Sequence, residues 1–331
     1  MSGAQQLKQY VLDNNLWIDE CGKILLPTSS ESIASLDLLL DRAKLNGVDA
    51  RKIYTEEILD LEPNANPVYG CGLHVPFTSV VDPKEVVSSL TMNVKKSGVS
   101  IRYDSRVTGV NSESGIVQVG KDVYTGTQII NSAGLHADNI ADIAQLRTNF
   151  SFLPFKGKYW RINKHIQMKT LVYPIPNLNL PFLGVHTVHN QAGKVYVGPS
   201  STPVFGRENY YGLRGLSFLE FWYLIISFTW KFIANTNGLR KLGMREMHLL
   251  FPKGIYKESR RLINNIEDGD LTLAREKVGI RSQIFDKEQD QLVTDFVIIK
   301  KNRVIHILNA ISPAFTASFG LADLILDEYL N

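Results

Sequence analysis

Apolar and polar positions along this chain follow two periods, one helical and one extended, which change places several times. Ala4–Asn15 and Ser30–Asn46 carry apolar residues at helical spacing; the cap-like Ser-Ser-Glu opens the second stretch and Asn46-Gly47 stops it. Between them, Gly22–Pro27 (GKILLP) predicts a short apolar strand. Asp82–Gly98 predicts a helix with both ends signed, since Asp-Pro opens it, Val86, Val87, Leu90 and Val94 share a face, and Gly98 closes it. Short strands follow at Val99–Tyr103, Arg106–Asn111, Gly115–Val119 and Gln128–Ile130, separated by Gly, Asn and Ser turns. From Ser151 to Ser201, the phrases FLPFKGKYWRI, TLVYPIP, PFLGVHTV and KVYVGPS each predict one strand of a four-stranded antiparallel sheet. Helical patterns then occupy Ser217–Asn237 and Met244–Asn264. Strands return at Gly279–Phe285, Phe296–Lys300 and Val304–Leu308, and a helix over Ala314–Tyr329 closes the chain. With no internal repeat and no long linker, the pattern points to an α/β (α+β) fold whose layers are interleaved in sequence.

Composition narrows this picture. At 331 residues and 44% hydrophobic, the chain can bury a large core. A net charge of +3 is too small to argue for nucleic acid as a partner. Two cysteines, Cys21 and Cys71, stand in no CxxC or CxxH pattern, so neither a disulfide framework nor a metal centre is expected. A reducing, cytoplasmic setting fits the cysteine usage, and the polar start does not read as a signal peptide. Ser217–Ala234 (SFLEFWYLIISFTWKFIA) is nearly continuous apolar sequence holding only Glu220 and Lys231, and Arg240, Lys241, Arg245 and Lys253 follow it. The favoured reading is a helix clamped between protein layers or facing a partner. Next comes a helix lying peripherally on the inner membrane face, and last a true span.

Three constellations carry candidate chemistry. In Gln128–Ala144 a strand runs through Ser132, Ala133 and Gly134, a turn bare of bulk, into a helix with Asp138 in its first turn. In His306–Ile325 a strand ends at Asn309, and Ser312-Pro313 opens a helix over Ala314, Thr316 and Ala317 whose free N–H groups suit an anionic or electron-rich ligand. In Lys277–Asp286 an arginine, Arg281, interrupts an apolar strand. A buried guanidinium must be paired, structurally by Asp286 or Asp295, or by a ligand carboxylate gripped with two hydrogen bonds. Lys156, Lys158, Tyr159 and Arg161 form a second cationic and aromatic group that a solvated strand face would also explain. His186 and His189 end a strand.

Taken in order, the phrases DECGKILLPTSSESIASLDLLLDRAKLNGV, INSAGLHAD, PFKGKYW, YPIPNLNLPFLGVHTV, VGPSSTPVFGRENY, GIRSQIFD and HILNAISPAFTASFGLADLI resemble the L-2-hydroxyglutarate dehydrogenase/oxidase family, within the D-amino-acid-oxidase-like FAD enzymes. That resemblance covers essentially the whole chain and implies FAD as cofactor. It implies cofactor contacts at Val107, at Ser132, Ala133 and Gly134, and at Asn309, Ser312, Pro313 and Ala314. Arg281 matches the arginine that holds the substrate carboxylate, and Tyr173 and His186 match the substrate side of the flavin. With Lys156 and Tyr159 as a second anchor, the pocket would take a small 2-hydroxy acid, with His186 as base.

No GxGxxG occurs in the sequence. The expected architecture is therefore an incomplete FAD-binding Rossmann-like domain interleaved with a mostly antiparallel substrate domain. Residues 1–80 follow the missing dinucleotide-binding unit, 81–147 continue the FAD-binding domain, 148–275 form the substrate domain, and 276–331 return to the first. A separately encoded N-terminal FAD-binding segment is one expected partner. The alternative is a truncated, non-catalytic fragment or split-gene subunit.

Overall fold

The computed structural model describes residues 2–176, 183–235 and 239–330. Its organising strand is Phe155–Ile162. Along one edge it pairs antiparallel with the whole of Leu271–Arg281; along the other it pairs with Val195–Gly198 and Thr202–Pro203, and Val195–Gly198 in turn pairs with His186–His189. A second sheet runs in the order Leu171–Pro174, Lys23–Leu26, Cys71–Val75, Arg51–Tyr54. The largest core lies between these two sheets and the helix Pro252–Ser259. Ile24, Leu26 and Val172 meet Trp160, Val197, Ile255 and Leu262 there, all almost fully buried. At about 25 cal/mol per Å² of apolar surface withdrawn from water, this contact is the main force holding the two sheets together.

A third sheet, in the order Val297–Lys301, Val304–Asn309, Ile129–Asn131, joins sequence-distant strands, with Val304–Asn309 parallel to Ile129–Asn131. Each of these two strands runs directly toward a helix, Ala137–Ile143 and Ala314–Ile325. The N-terminal helix Ser2–Asp13 packs on Ala314–Ile325 so closely that a Cβ on Gly3 would stand 2.9 Å from the Ala317 carbonyl.

Several expected elements divide where proline removes a backbone donor. FLPFKGKYWRI is two strands, because Pro154 cannot continue the ladder: Phe150–Phe152 pairs with Ile284–Asp286 in a separate sheet. Gly279–Phe285 accordingly splits into Leu271–Arg281 and Ile284–Asp286. Leu171–Pro174 does not join the antiparallel sheet; it pairs parallel to Lys23–Leu26, with Val172 fully buried in the core. The Pro181-Phe182 start of PFLGVHTV lies outside the described residues.

Met244–Asn264 separates into Leu239–Met247 and Pro252–Ser259, the latter with Pro at its first turn. Ser30–Asn46 breaks at Ala34 into two helices, and Ala314–Tyr329 ends regular α-helix at Ile325. Val99–Tyr103 forms no strand, and Arg106–Asn111 reduces to Gly109–Asn111; Val99 and Tyr103 are exposed and have no sheet face to bury against.

The aromatic helix Phe218–Ile233 is not clamped between protein layers on all sides. Only Leu224 is fully buried, while Phe218, Leu219, Trp230 and Ile233 are 63–80% exposed. Its inner side is held by Phe228, edge-on to Phe155 and Phe205, and by Glu220. The buried Arg207 ties that carboxylate to another element: its Nε donates to Glu220 at 2.7 Å and its two terminal nitrogens to Asp138 at 2.6 and 2.7 Å. A bidentate guanidinium therefore couples this helix to Ala137–Ile143 beside the parallel strand pair.

Candidate functional site

Two regions gather the chemistry. The first is built where Leu171–Pro174, His186–His189, Phe155–Ile162 and Leu271–Arg281 meet. Tyr173 stacks on His186 with ring centroids 4.0 Å apart and planes 11° from parallel, and Tyr159 stands edge-on to His186 at 6.2 Å. Alternation along the long strand puts Lys277, Gly279 and Arg281 on one face, and the Lys277 ammonium lies 5.3 Å from the Tyr159 ring centroid. Gly279 leaves open space between the two cations, since a Cβ there would meet nothing within 4 Å. From the second sheet, Lys23 reaches over the Tyr173 ring at 5.7 Å.

The electrostatics follow from burial among cations. Burial lowers the pKa of Arg281, Lys277 and Lys23 below the usual range for such groups; Glu246 partly restores that of Arg281, and Asp82 and Glu276 partly restore that of Lys277. Burial likewise raises the Tyr159 and Tyr173 phenols, so both are protonated donors at neutral pH. His186 is pushed down to about 4, chiefly by burial, with Arg281, Lys23 and Lys277 adding repulsion against the Gly184 carbonyl that favours its charge. Its Nδ1 lies 2.9 Å from that carbonyl oxygen, which can only accept. Nδ1 therefore carries the proton, and Nε2 presents the lone pair of a neutral imidazole. A cleft of about 640 Å³, lined in part by Pro174, Gly184 and Glu246, opens beside this group.

Tyr159, Tyr173, His186 and Arg281 are thus brought together. Lys156 is not with them. It sits on the opposite face of its strand with Lys158, its ammonium is 3.3 Å from Asn209 Oδ1, and burial lowers it to about 8. The expected Lys156 and Tyr159 anchor divides because residues three apart on one strand project from opposite faces. Asp286 caps its own turn, accepting from the Glu288 and Gln289 amides. Lys277 and Lys23, which the sequence reading overlooked, were signalled only by alternation: Lys277 stands four residues before Arg281 on the same strand face.

The second region is the end of the parallel strand pair. Asn131 and His306 face each other in register, and Asn131 Nδ2 donates to the Ala137 carbonyl at 2.7 Å and to His306 Nδ1 at 3.0 Å. His306 Nε2 and Asn309 Oδ1 are buried and have no hydrogen-bond partner among the described residues. Orphaned buried polar atoms of this kind mark a place that a polar ligand completes. Beyond Asn131, Ser132 and Ala133 are exposed, and Gly134 adopts φ +56° with open space where a side chain would stand. Beyond Asn309, Ser312 and Pro313 are exposed, and the 12-residue helix from Ala314 has no side-chain cap on its first N–H groups. Ligands of open α/β sheets bind at such carboxyl ends of parallel strands. These residues suit the ring-facing side of a flavin. Val107 is half-buried and lies outside any strand.

The family model described as FAD dependent oxidoreductase matches residues 5–328. The chain is 30% identical over 339 residues to L-2-hydroxyglutarate dehydrogenase of Indibacter alkaliphilus, covering all of this chain and 83% of that protein. It is 28% identical over 351 residues to the mitochondrial L-2-hydroxyglutarate dehydrogenase of Homo sapiens, covering 99% and 74%. Among solved structures, dithionite-reduced L-alpha-glycerophosphate oxidase from Mycoplasma pneumoniae with FAD bound superposes with a TM-score of 0.69 at 17% identity, covering 97% of this chain and 78% of that one. L-proline dehydrogenase from P. horikoshii gives 0.67 at 12% identity, covering 99% and 77%.

Proposed function

The chain belongs to the FAD dependent oxidoreductase family, with FAD as its cofactor, and from that premise we propose that it oxidises L-2-hydroxyglutarate, or a closely similar 2-hydroxy acid, to the 2-oxo acid. The observation that carries this reading is the half-buried group of Arg281, Lys277, Lys23, Tyr159 and Tyr173 around a buried, neutral His186. Three cationic side chains that donate hydrogen bonds suit a substrate carrying two carboxylates. Arg281 takes one carboxylate through two parallel N–H donors, and Tyr159 adds a hydroxyl donor. Lys277 and Lys23 are placed for the second carboxylate. His186 Nε2 accepts the substrate hydroxyl proton as the C–H bond is broken. Ser132–Gly134, Asn309 and the start of Ala314–Ile325 would hold FAD, which would supply the hydride acceptor.

Anaerobic mixing of the flavin-loaded protein with L-2-hydroxyglutarate should bleach the flavin absorbance, and the D-enantiomer should not. An oxidised spectrum that persists through saturating L-2-hydroxyglutarate would overturn the assignment.

Two partners accompany this reading. Among the described residues Ile129–Asn131 pairs only with Val304–Asn309, so its outer edge can take a further strand from a separately encoded FAD-binding segment. The outward aromatics of Phe218–Ile233 suit the interface of a bilayer, with Trp222 and Trp230 at the headgroup level. Among the described residues no helix is long and apolar enough to cross a membrane. The side chains of Lys241 and Arg245, expected to flank that contact, lie outside the described residues. Co-sedimentation with anionic vesicles is expected, falling at least about fivefold in the Trp222→Ser/Trp230→Ser double variant, because each exposed indole contributes on the order of 1 kcal/mol at an interface. Equal binding by parent and variant would remove the membrane from the reading.

A further inference from the structure

We propose that Asp19, Cys21 and His189 form a zinc site beside the His186–Tyr173 pair. The ligating atoms of these three side chains lie within 4.8 Å of one another, although His189 is 170 residues from Asp19 in the chain. Cysteine spacing could not disclose it, because a single cysteine contributes and the other ligands come from different strands. Asp19 ends the short strand Ile18–Asp19, Cys21 lies in the turn before Lys23–Leu26, and His189 ends His186–His189. That turn is held in a fixed path: Gly22 takes φ +68° and its amide donates to the Thr78 carbonyl at 2.8 Å.

The donor set is specific. One thiol, one imidazole and one carboxylate give S, N and O ligands, a combination suited to Zn²⁺ and poorly suited to Ca²⁺ or Mg²⁺, which take oxygen. Bond lengths of about 2.0–2.3 Å place neighbouring ligand atoms on a tetrahedral zinc roughly 3.5 Å apart. His189 Nε2 and Asp19 Oδ2, at 2.6 Å, already approach more closely than that, so binding needs only small side-chain shifts. The His189 ring is buried, and its Nε2 is the nitrogen that faces Asp19. Three protein ligands leave a fourth position for water.

The consequence is positional. His189 is three residues beyond His186 on one strand, and Cys21 is two residues before Lys23, which lies over the Tyr173 ring. Zinc here ties together the two sheets that contribute His186, Tyr173 and Lys23. The binding of metal is independent of the proposed reaction, so its test does not depend on turnover.

Full-length protein freed of metal by chelator is titrated with Co²⁺ as the probe. One equivalent should give the visible bands of tetrahedral cobalt and a thiolate-to-cobalt charge-transfer band in the near ultraviolet, and zinc should displace it. Cys21→Ser should abolish the charge-transfer band, Cys71→Ser should retain it, and Asp19→Asn should weaken cobalt binding at least about tenfold. As a check independent of variant folding, one equivalent of zinc should slow alkylation of Cys21 in the parent protein at least tenfold and leave Cys71 unchanged. A spectrum equal to that of aqueous cobalt, a band that survives Cys21→Ser, or an alkylation rate indifferent to zinc overturns the proposal.

Discussion

Replacing His186 with glutamine lowers kcat by about 10²- to 10⁴-fold while flavin content and the KM for the hydroxy acid change little, the range for losing a positioned general base. The ring is held by Tyr173 on one face and by the Gly184 carbonyl on Nδ1, so the parent presents one tautomer in one orientation. Glutamine preserves volume and polarity but has no lone pair basic enough to take the hydroxyl proton. The pH profile separates this role from a packing role. The active form is the neutral imidazole, and in the free protein His186 titrates at about 4, below the usual range for histidine. Acid therefore inactivates by protonating it. The kcat/KM of the parent should stay level from neutrality to about pH 5 and fall about tenfold per unit once the pH drops below 4. A bound dianion offsets the charges of Arg281, Lys23 and Lys277 that repel a proton, so the acid limb of kcat should lie at higher pH than that of kcat/KM. Parent and His186→Gln profiles of identical shape would rule out the base.

Arg281→Met should raise the KM for L-2-hydroxyglutarate about 100-fold with a smaller effect on kcat. Charge-assisted hydrogen bonds to a buried carboxylate are worth roughly 1.5–3 kcal/mol, and the methionine side chain fills similar space without donating. Arg281→Lys should fall between the two, because lysine restores the charge but not the planar fork. Lys277, on the same strand face, keeps part of the field and prevents complete loss of binding. A steady-state titration of flavin-loaded variants decides the matter: an unchanged KM in Arg281→Met sinks the carboxylate-anchor role.

Residue patterning made much of the chain legible because the cues are local. Asp82 before Pro83 caps its helix by accepting from the Lys84 and Glu85 amides, and the turn from Asn131 into Ala137–Ile143 appears where small residues follow a strand. The ordered phrases carried the family, and seven such phrases in register are hard to produce by chance. What local pattern could not carry is partnership between distant segments. Pro154 divides one apolar run between two sheets, and Leu171–Pro174 runs parallel to a strand about 150 residues earlier, choices made by burial against the shared core.

The sequence by itself determined the type of most elements, the turn and helix starts proposed to face the cofactor, and the candidacy of Tyr159, Tyr173, His186 and Arg281. Only the tertiary structure decided that Lys277 and Lys23 join that group, that Lys156 leaves it for Asn209, that Arg207 clamps Asp138 to Glu220, and that Asp19, Cys21 and His189 converge. The reason is physical. Helix and strand periods are written in neighbours along the chain, whereas the pKa of His186 and the company of each cation depend on which distant strands pair and in what register.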